Sequence, residues 1–172
     1  NNKTNGVTQR RWLAACNPSL SALINAQLGD GWVTDLEQLS KLRPLAEDDG
    51  FRKSWREVKL GNKRRLANLV KKRNGLVLDT NMLFDVQVKR IHEYKRQLLN
   101  VLHVVTRYQA MLSDPDADWV PRTVIFAGKA ASSYVMAKAI IRLINDVATT
   151  INADVRLRER LKVVFVPNYG VS

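Results

Sequence analysis

The second half of the chain contains three stretches with the residue pattern of strands. Apolar and polar residues alternate over residues 81–88, as in a half-buried strand. Residues 123–127 form a short continuous apolar run, and residues 162–166 form a last one. The pattern therefore predicts three strands.

Apolar residues at helical spacing occupy the segments between these strands. Residues 93–112 predict one helix, and residues 133–149 predict a second, followed by a shorter helix near residues 154–160. The predicted apolar face of the first carries Leu98, Leu102, Val105 and Tyr108, and that of the second carries Met136, Ile140, Ile141 and Ile144. The order β-α-β-α-α-β is typical of a parallel sheet with right-handed crossovers.

The first half of the chain has the pattern of successive helices. Asn17 is a predicted N-cap, with Pro18 at the first helical position. A short helix after residue 34 is predicted to end before Pro44. Residues 48–73 predict a long basic helix that ends at Gly75.

These patterns predict an α/β protein in two parts. Residues 1–80 form a helical lead-in, and residues 81–172 form a partial Rossmann-like β-α-β-α-β unit, a parallel sheet with flanking helices. A parallel sheet of three strands is small and has exposed edges. We therefore expect the chain to be a piece of a longer protein, and its first residue, Asn1, agrees with this.

The chain is strongly basic, with 28 Lys and Arg against 16 Asp and Glu and a formal net charge of +12. Such an excess indicates an anionic partner: nucleic acid, a membrane surface or a phosphorylated small molecule. A piece of a larger protein can also be basic because its acidic complement lies elsewhere.

One Cys excludes an internal disulfide and fits a reducing, cytoplasmic setting. Two His and one Cys far apart predict no metal site.

The densest candidate chemistry lies where the first strand meets the following helix. Four cations occupy eight positions there: Lys89, Arg90, Lys95 and Arg96. Open α/β sheets bind ligands at the carboxyl ends of their strands, and basic side chains beside free backbone N–H groups suit phosphate. The competing interpretation is a solvated basic turn, the usual role of such charge runs.

A second candidate follows the next strand. Residues 126–133 pass from the strand through Gly128 and further small residues to a helix start, which resembles a nucleotide cradle. Neither common glycine-rich phosphate motif is present. The small residues are equally consistent with close helix–sheet packing, and Tyr134 is either an aromatic rim or part of the core.

Four blocks of sequence, at residues 3–13, 84–100, 128–131 and 168–172, resemble blocks of the α-glucan phosphorylases. Residues 3–13 (KTNGVTQRRWL) look like one family block, and residues 84–100 (FDVQVKRIHEYKRQLLN) match another without a gap. Residues 128–131 (GKAA) and 168–172 (NYGVS) fit two more. The resemblance extends from end to end, and the ungapped block is too long to arise by chance.

This resemblance implies a fold and an activity. Family members cleave α-1,4-glucans with inorganic phosphate and release α-D-glucose 1-phosphate. They use pyridoxal 5′-phosphate, whose phosphate, rather than its aldehyde, takes part in proton transfer. Two Rossmann-like domains face each other across a cleft (the GT-B arrangement), and this chain would begin the second. For the parent protein the resemblance implies a homodimer with no nucleic-acid or membrane partner.

The resemblance also implies roles at the substrate. Arg90 resembles the arginine that binds the substrate phosphate. Lys95 resembles the lysine between the substrate phosphate and the cofactor phosphate, so these two residues are the predicted catalytic pair. Tyr94 matches a tyrosine that touches the sugar 2-hydroxyl, and Asn5 matches an asparagine that contacts the glucosyl 6-hydroxyl.

Further roles concern the cofactor and the entrance of the cleft. Lys89 resembles a lysine beside the cofactor phosphate, where Lys95 also lies. Trp12 and Tyr169 match aromatic residues that pack around the cofactor. Tyr134 matches an aromatic residue at the mouth of the cleft.

Some positions depart from the family pattern. Gly170 replaces a frequent Arg or Asn, and Ser132-Ser133 replaces a Pro-Gly pair beside the cleft mouth. The family's Schiff-base lysine lies in a block beyond residue 172, so we expect the isolated chain to be inactive. Two alternatives stay open: a stand-alone basic module for nucleic acid or a phosphorylated ligand, and a phosphorylase relic that only mediates assembly.

Overall fold

A computed structural model describes residues 8–157 and 160–170 of the chain. These residues belong to two compact units, one that runs through Arg65 and one from Leu66 to Gly170. Each unit has apolar clusters of its own. The domain boundary proposed at residue 80 stays a prediction.

The first unit opens with a π-helical turn, Arg11–Ala15, followed by helix α1, Pro18–Leu28. Asn17 is the N-cap, as predicted: its Oδ1 accepts a hydrogen bond from the Leu20 N–H at 3.3 Å. The same oxygen accepts a second bond from Asn62 Nδ2 at 3.0 Å. The cluster of this unit is built on the buried residues Leu20, Ile24 and Trp32.

Two 3₁₀ segments, Gly31–Val33 and Leu36–Glu47, lead to the long helix α2, Asp49–Asn74. The second segment contains Pro44, so the prediction that Pro44 ends a helix is wrong. A proline ring fixes φ near the value that a 3₁₀ turn needs and removes only one backbone donor. Gly75 follows α2 with a φ of 71°, as its predicted role in ending the helix requires.

The second unit is built around a parallel sheet. Its strands within the described residues are β1 (Leu83–Val88), β2 (Arg122–Gly128) and β3 (Leu161–Pro167), in the order β1-β2-β3. Val88 pairs with Ala127, and Ala127 pairs with Val166, so the three strands end together at one edge. The predicted strands and the α/β class are confirmed.

Both faces of this sheet are covered. Helices α3 (Gln97–Ser113) and α4 (Val135–Ala153) pack on one face, against strand residues such as Val124 and Phe126. The end of α2 packs on the other face, where Ile125 and Ala127 contact it. This layering explains why β2 is a continuous apolar run.

The start and the buried face of α3 differ from the prediction. A 3₁₀ turn, Glu93–Lys95, comes first, and Arg96 then has a left-handed φ of 59°. The buried residues are Gln97, Val101, Val104 and Met111, whereas Leu98 is 41% and Leu102 53% exposed. The predicted leucine face is therefore wrong. Two apolar stripes run along this helix, and contact with α4 and the sheet selects the valine stripe.

Helix α4 buries Ile140 and Ile144, as predicted, but Met136 is 47% exposed. The buried stripe of α4 begins at the next residue, Ala137, which is fully buried, and Met136 lies outside this stripe. The short helix expected near residues 154–160 is a 3₁₀ turn, Val155–Leu157, and residues 158 and 159 lie outside the described residues.

Asp154, at the end of α4, is held by donors from two residues, Arg156 and Tyr108. Its Oδ2 accepts hydrogen bonds from Arg156 Nη2 at 2.6 Å and from the Tyr108 hydroxyl at 2.7 Å. These bonds lower the pKa of the Asp154 carboxyl, and the bond from Arg156 has the larger effect. A carboxyl with a lower pKa in the folded state stabilises it above the unfolded pKa, and this contribution is lost as the pH falls through the folded value.

We therefore expect Asp154→Asn to lower the urea midpoint of unfolding at neutral pH. The difference from the unchanged chain should shrink as the pH falls below about 4, where the unfolded carboxyl is protonated. Asp146→Asn is the control, because Asp146 forms only an exposed pair with Arg142 at 3.7 Å. A midpoint difference that did not depend on pH would contradict the expectation.

Candidate functional site

The chain continues beside β2 after β1 has ended. The Lys89 N–H donates to the Ala127 carbonyl at 3.1 Å, and the Ile91 N–H donates to the Lys129 carbonyl at 3.1 Å. Ile91 is 2% exposed and anchors this segment in the core. The loops after β1 and β2 therefore lie side by side at the carboxyl edge of the sheet.

Gly128 makes this close approach possible. A Cβ atom at this position would overlap the Lys89 carbonyl oxygen and press on the Ile91 side chain. Only glycine leaves room for the two backbones. The close approach of the two loops therefore explains why one of the small residues of this segment, residue 128, is a glycine.

The loop between β1 and α3 is shaped by its own side chains. His92 caps the 3₁₀ turn Glu93–Lys95, because its Nδ1 accepts a bond from the Tyr94 N–H at 3.4 Å. The left-handed Arg96 then reverses the chain into α3. Arg90 therefore precedes the turn, and Lys95 is its last residue.

Both loops line one cavity of about 370 Å³. Its lining residues are Arg90, Ile91, His92, Tyr94, Lys95, Lys129, Ala130, Ala131 and Tyr134. The volume is in the range of small-molecule sites. Among the residues with described positions, three cations and no carboxylate line the cavity, so it is suited to an anion.

The cations of the cavity are not neutralised within the described part of the chain. The ion pairs found there join other residues, such as Arg122 with Asp85 and Arg156 with Asp154. Lys95 is half-buried, and its Nζ lies 5.5 Å from the centre of the Tyr94 ring. Arg90 and Lys129 are exposed, and three like charges that line one cavity without an ion-pair partner within the described ranges favour a bound anion.

Aromatic rings form one wall of the cavity. The His92 ring lies 4.2 Å from the Tyr94 ring and 5.0 Å from the Tyr134 ring, measured between centres. The Tyr134 hydroxyl donates to Glu93 Oε2 at 2.6 Å and accepts from the Glu93 N–H at 3.2 Å. The bond to the Glu93 carboxylate raises the pKa of the Tyr134 hydroxyl above its usual value. These contacts tie the loop to the start of α4.

Four of the eight predicted site residues meet in this cavity: Arg90, Lys95, Tyr94 and Tyr134. Lys89 and Tyr169, from the same compact unit, are not among its lining residues. Lys89 is exposed immediately after β1, and Tyr169 packs half-buried with the cluster at the end of α2, on the opposite face of the sheet. Trp12 is 47% exposed in the first unit, and Asn5 lies outside the described residues.

Lys129 and His92 line the cavity, although neither was a predicted site residue. A signal existed for Lys129, because it follows β2 directly, as Lys89 follows β1. Parallel strands end at the same edge, and cations after two adjacent strands are therefore neighbours. His92 lies inside the basic run, but its capping role depends on a turn that the sequence pattern did not reveal.

Other kinds of site are not indicated by the residues with described positions. Among them, no group of three His, Cys, Asp or Glu side chains is placed to hold a metal ion. None of the helices in residues 8–157 and 160–170 is long and apolar enough to cross a bilayer.

The fold and the site define an α/β protein with a cationic cavity at the carboxyl edge of its parallel sheet, the edge at which open sheets of this kind bind ligands. Comparison with known proteins makes this more specific. A sequence profile of the carbohydrate phosphorylase family matches residues 1–172. The chain belongs to the carbohydrate phosphorylase family.

Individual relatives agree with this assignment. Glycogen phosphorylase from Haemophilus influenzae is 57% identical over 171 residues, which are 99% of this chain and 21% of the relative. Glycogen phosphorylase from Chlamydia pneumoniae is 54% identical, with the same coverage of both chains. Alpha-glucan phosphorylase 1 from Arabidopsis thaliana is 47% identical over 176 residues, 99% of this chain and 18% of the relative. The chain thus spans about a fifth of the length of these relatives.

Proposed function

We propose that this chain is the phosphate-binding part of a 1,4-α-glucan phosphorylase. Such an enzyme, a glycosyltransferase of carbohydrate catabolism, transfers a glucosyl unit from an α-1,4-glucan to inorganic phosphate and forms α-D-glucose 1-phosphate. The observation that carries the proposal is the cavity in which Arg90, Lys95 and Lys129 meet without a carboxylate. The names of the relatives, glycogen phosphorylase and alpha-glucan phosphorylase, support it.

Arg90 and Lys95 have complementary roles in this proposal. The planar guanidinium of Arg90 binds two oxygens of the substrate phosphate, and the Lys95 ammonium acts as a point charge. Two neighbouring phosphate groups repel each other strongly, and cations between them offset this repulsion. The same cations stabilise negative charge that develops as the glycosidic bond breaks.

Neighbouring residues orient the sugar. Tyr94 lies in the lining of the cavity beside Lys95, where its hydroxyl would contact the 2-hydroxyl of the glucosyl unit. Tyr134 stands at the mouth of the cleft and restricts what enters. Asn5, which would contact the 6-hydroxyl, is proposed from the family resemblance alone.

The cofactor proposed for the parent protein is pyridoxal 5′-phosphate. The residues present fit a phosphate monoester, since the half-buried Lys95 and the exposed Lys89 both belong to the loop after β1. Lys89 and Lys95 would hold its phosphate. Contacts of Trp12 and Tyr169 with the cofactor are proposed from the family resemblance alone. When bound, the cofactor supplies a phosphate with a second pKa near 6, which exchanges protons at neutral pH.

The remaining partner assignments also belong to this proposal. The parent acts on glucan, phosphate and glucose 1-phosphate as a cytoplasmic homodimer, without nucleic acid or membrane. These statements depend on the family resemblance and on the single cysteine, rather than on a contact within the described residues.

A chimera tests the proposed function. In it, this chain replaces the matching segment of the Haemophilus influenzae enzyme, to which it is 57% identical. We expect the chimera to release glucose 1-phosphate from glycogen only when inorganic phosphate and the cofactor are present, and the isolated chain to release none. A folded chimera that retains cofactor but lacks phosphorolysis would contradict the proposal, and tight salt-dependent binding of random oligonucleotides by the chain would favour the basic-module alternative.

A further inference from the structure

We propose that Gln97 and the Gln87–Asn100 pair are positioning residues that set the separation of Arg90 and Lys95. The inference rests on the proposed function, because it assigns the two cations to phosphate. It concerns three amide side chains beneath the loop, and none of them lines the cavity.

Gln97 is a polar side chain in the apolar core. It is fully buried, at the first position of α3, beside Val101 and other core residues. Its Nε2 donates to the Arg90 carbonyl at 3.1 Å, and its Oε1 accepts from the His92 N–H at 3.4 Å. Both ends of the amide thus bind the backbone on either side of Ile91.

Gln87 does the same for the end of the loop. Its Nε2 donates to the Lys95 carbonyl at 3.0 Å, and its Oε1 accepts from Asn100 Nδ2 at 2.9 Å. Gln87 belongs to β1 and Asn100 to α3. The backbone of Lys95 is therefore tied to the sheet and to the helix by one chain of amides.

These bonds satisfy carbonyl groups that regular structure does not. Arg90 and Lys95 precede α3, and the left-handed Arg96 interrupts the helical pattern between them and that helix. A buried amide is stable only when both of its ends are paired, so Gln97 has one favourable arrangement. The two cations have no ion-pair partner among the described residues. The amides therefore supplement the backbone bonds to β2 and the buried Ile91 in holding this segment, without help from opposite charges.

The assignment is specific, because each amide acts on one cation. Gln97 holds the carbonyl of Arg90, and Gln87 holds the carbonyl of Lys95. A positioning role predicts that removing an amide harms only an enzyme that still has the matching cation. A general role in stability predicts the same loss in every background.

The test measures these couplings in the chimera with its cofactor bound. Gln97→Met and Gln87→Met keep the volume and remove the hydrogen bonds. We expect each to raise the KM for inorganic phosphate at least about tenfold, with a smaller change in the KM for glycogen. Gln109→Met, the same change at an exposed position of α3, should alter neither.

Double variants then decide the role. Adding Gln97→Met to Arg90→Ala, which lacks the matching cation, should lower kcat/KM by less than about twofold further. Adding it to Lys95→Ala should lower kcat/KM by at least about fivefold, and Gln87→Met should show the reverse pattern. Equal effects in both backgrounds, or an unchanged KM for phosphate, would overturn the inference. Binding of inorganic phosphate, followed by ³¹P NMR, gives the same comparison if the chimera proves inactive. Loss of phosphorolysis by the chimera would contradict the proposed function. Equal effects of the amide variants on phosphate binding in both backgrounds would contradict the positioning role, so the two failures are distinguishable.

Discussion

Arg90→Ala in the chimera is expected to lower kcat/KM for inorganic phosphate by about a thousandfold. Arg90 lines the cavity with Lys95 and Lys129, and it is the only arginine among the lining residues. Removal of its guanidinium group eliminates a bidentate, charge-assisted contact to phosphate at the point where negative charge develops. Initial rates at varied phosphate concentration measure the effect.

The matched control is Arg96→Ala. Arg96 belongs to the same loop and is exposed, but it does not line the cavity. We expect a change of no more than about threefold, as is usual when a solvated charge is removed. Arg90→Lys should retain the charge but lose the fork, and so fall between the two alanine variants. If the two alanine variants lost the same activity, the effect would come from net charge alone, and the assigned role of Arg90 would be wrong.

Gly128→Val is expected to abolish folding of the second unit, and Gly128→Ala to destabilise it by about 1–3 kcal/mol or more. The reason is steric, because a Cβ at this position overlaps the Lys89 carbonyl oxygen. This oxygen is part of the backbone, and the adjacent Lys89 N–H is bound to Ala127. The loop cannot move aside without breaking the pairing that continues β1. Urea unfolding of the chain followed by circular dichroism measures the change.

Gly61→Ala is the control for this substitution. Gly61 lies within α2, and a Cβ there meets no atom within 4 Å. Alanine is the better helix former, so this variant should gain up to about 1 kcal/mol. A Gly128→Ala chain as stable as the unchanged chain would show that the loop after β1 is freely displaced. The claim that the close approach of the two backbones requires glycine at this position would then be wrong.

Much of the fold could be predicted from local pattern. The strands near residues 83, 123 and 162 and the ends of α1 and α2 follow from the spacing of apolar residues and from capping residues such as Asn17 and Gly75. These signals lie within a few neighbouring residues, and they need no knowledge of what packs against them. The α/β class follows from their order.

The orientation of α3 could not be predicted in this way. Leu98 and Leu102 form a stripe at least as apolar as that of Val101 and Val104, yet the valines are the buried residues. Burial depends on which side of the helix meets α4 and the sheet. Gln97 adds to the difficulty, because a polar residue enters the core only when backbone groups elsewhere pair with its amide.

Some residues of the candidate site could also be predicted from the sequence, whereas others could not. The basic run and the family blocks indicated Arg90, Lys95, Tyr94 and Tyr134, which line one cavity, whereas Lys129 was not recognised. Arg90 and Lys129 come from loops after different strands, and only the pairing of β1 with β2 makes them neighbours.

The order of helices and strands, the excess of positive charge and the family membership were thus written in the amino-acid sequence, since each depends on adjacent residues or on composition. Which helix stripe is buried, how Gln97 and Gln87 hold the loop, and which cations share a cavity emerged only from the folded chain. Those features depend on contacts between residues far apart along the chain, and the packing of the whole unit selects such contacts.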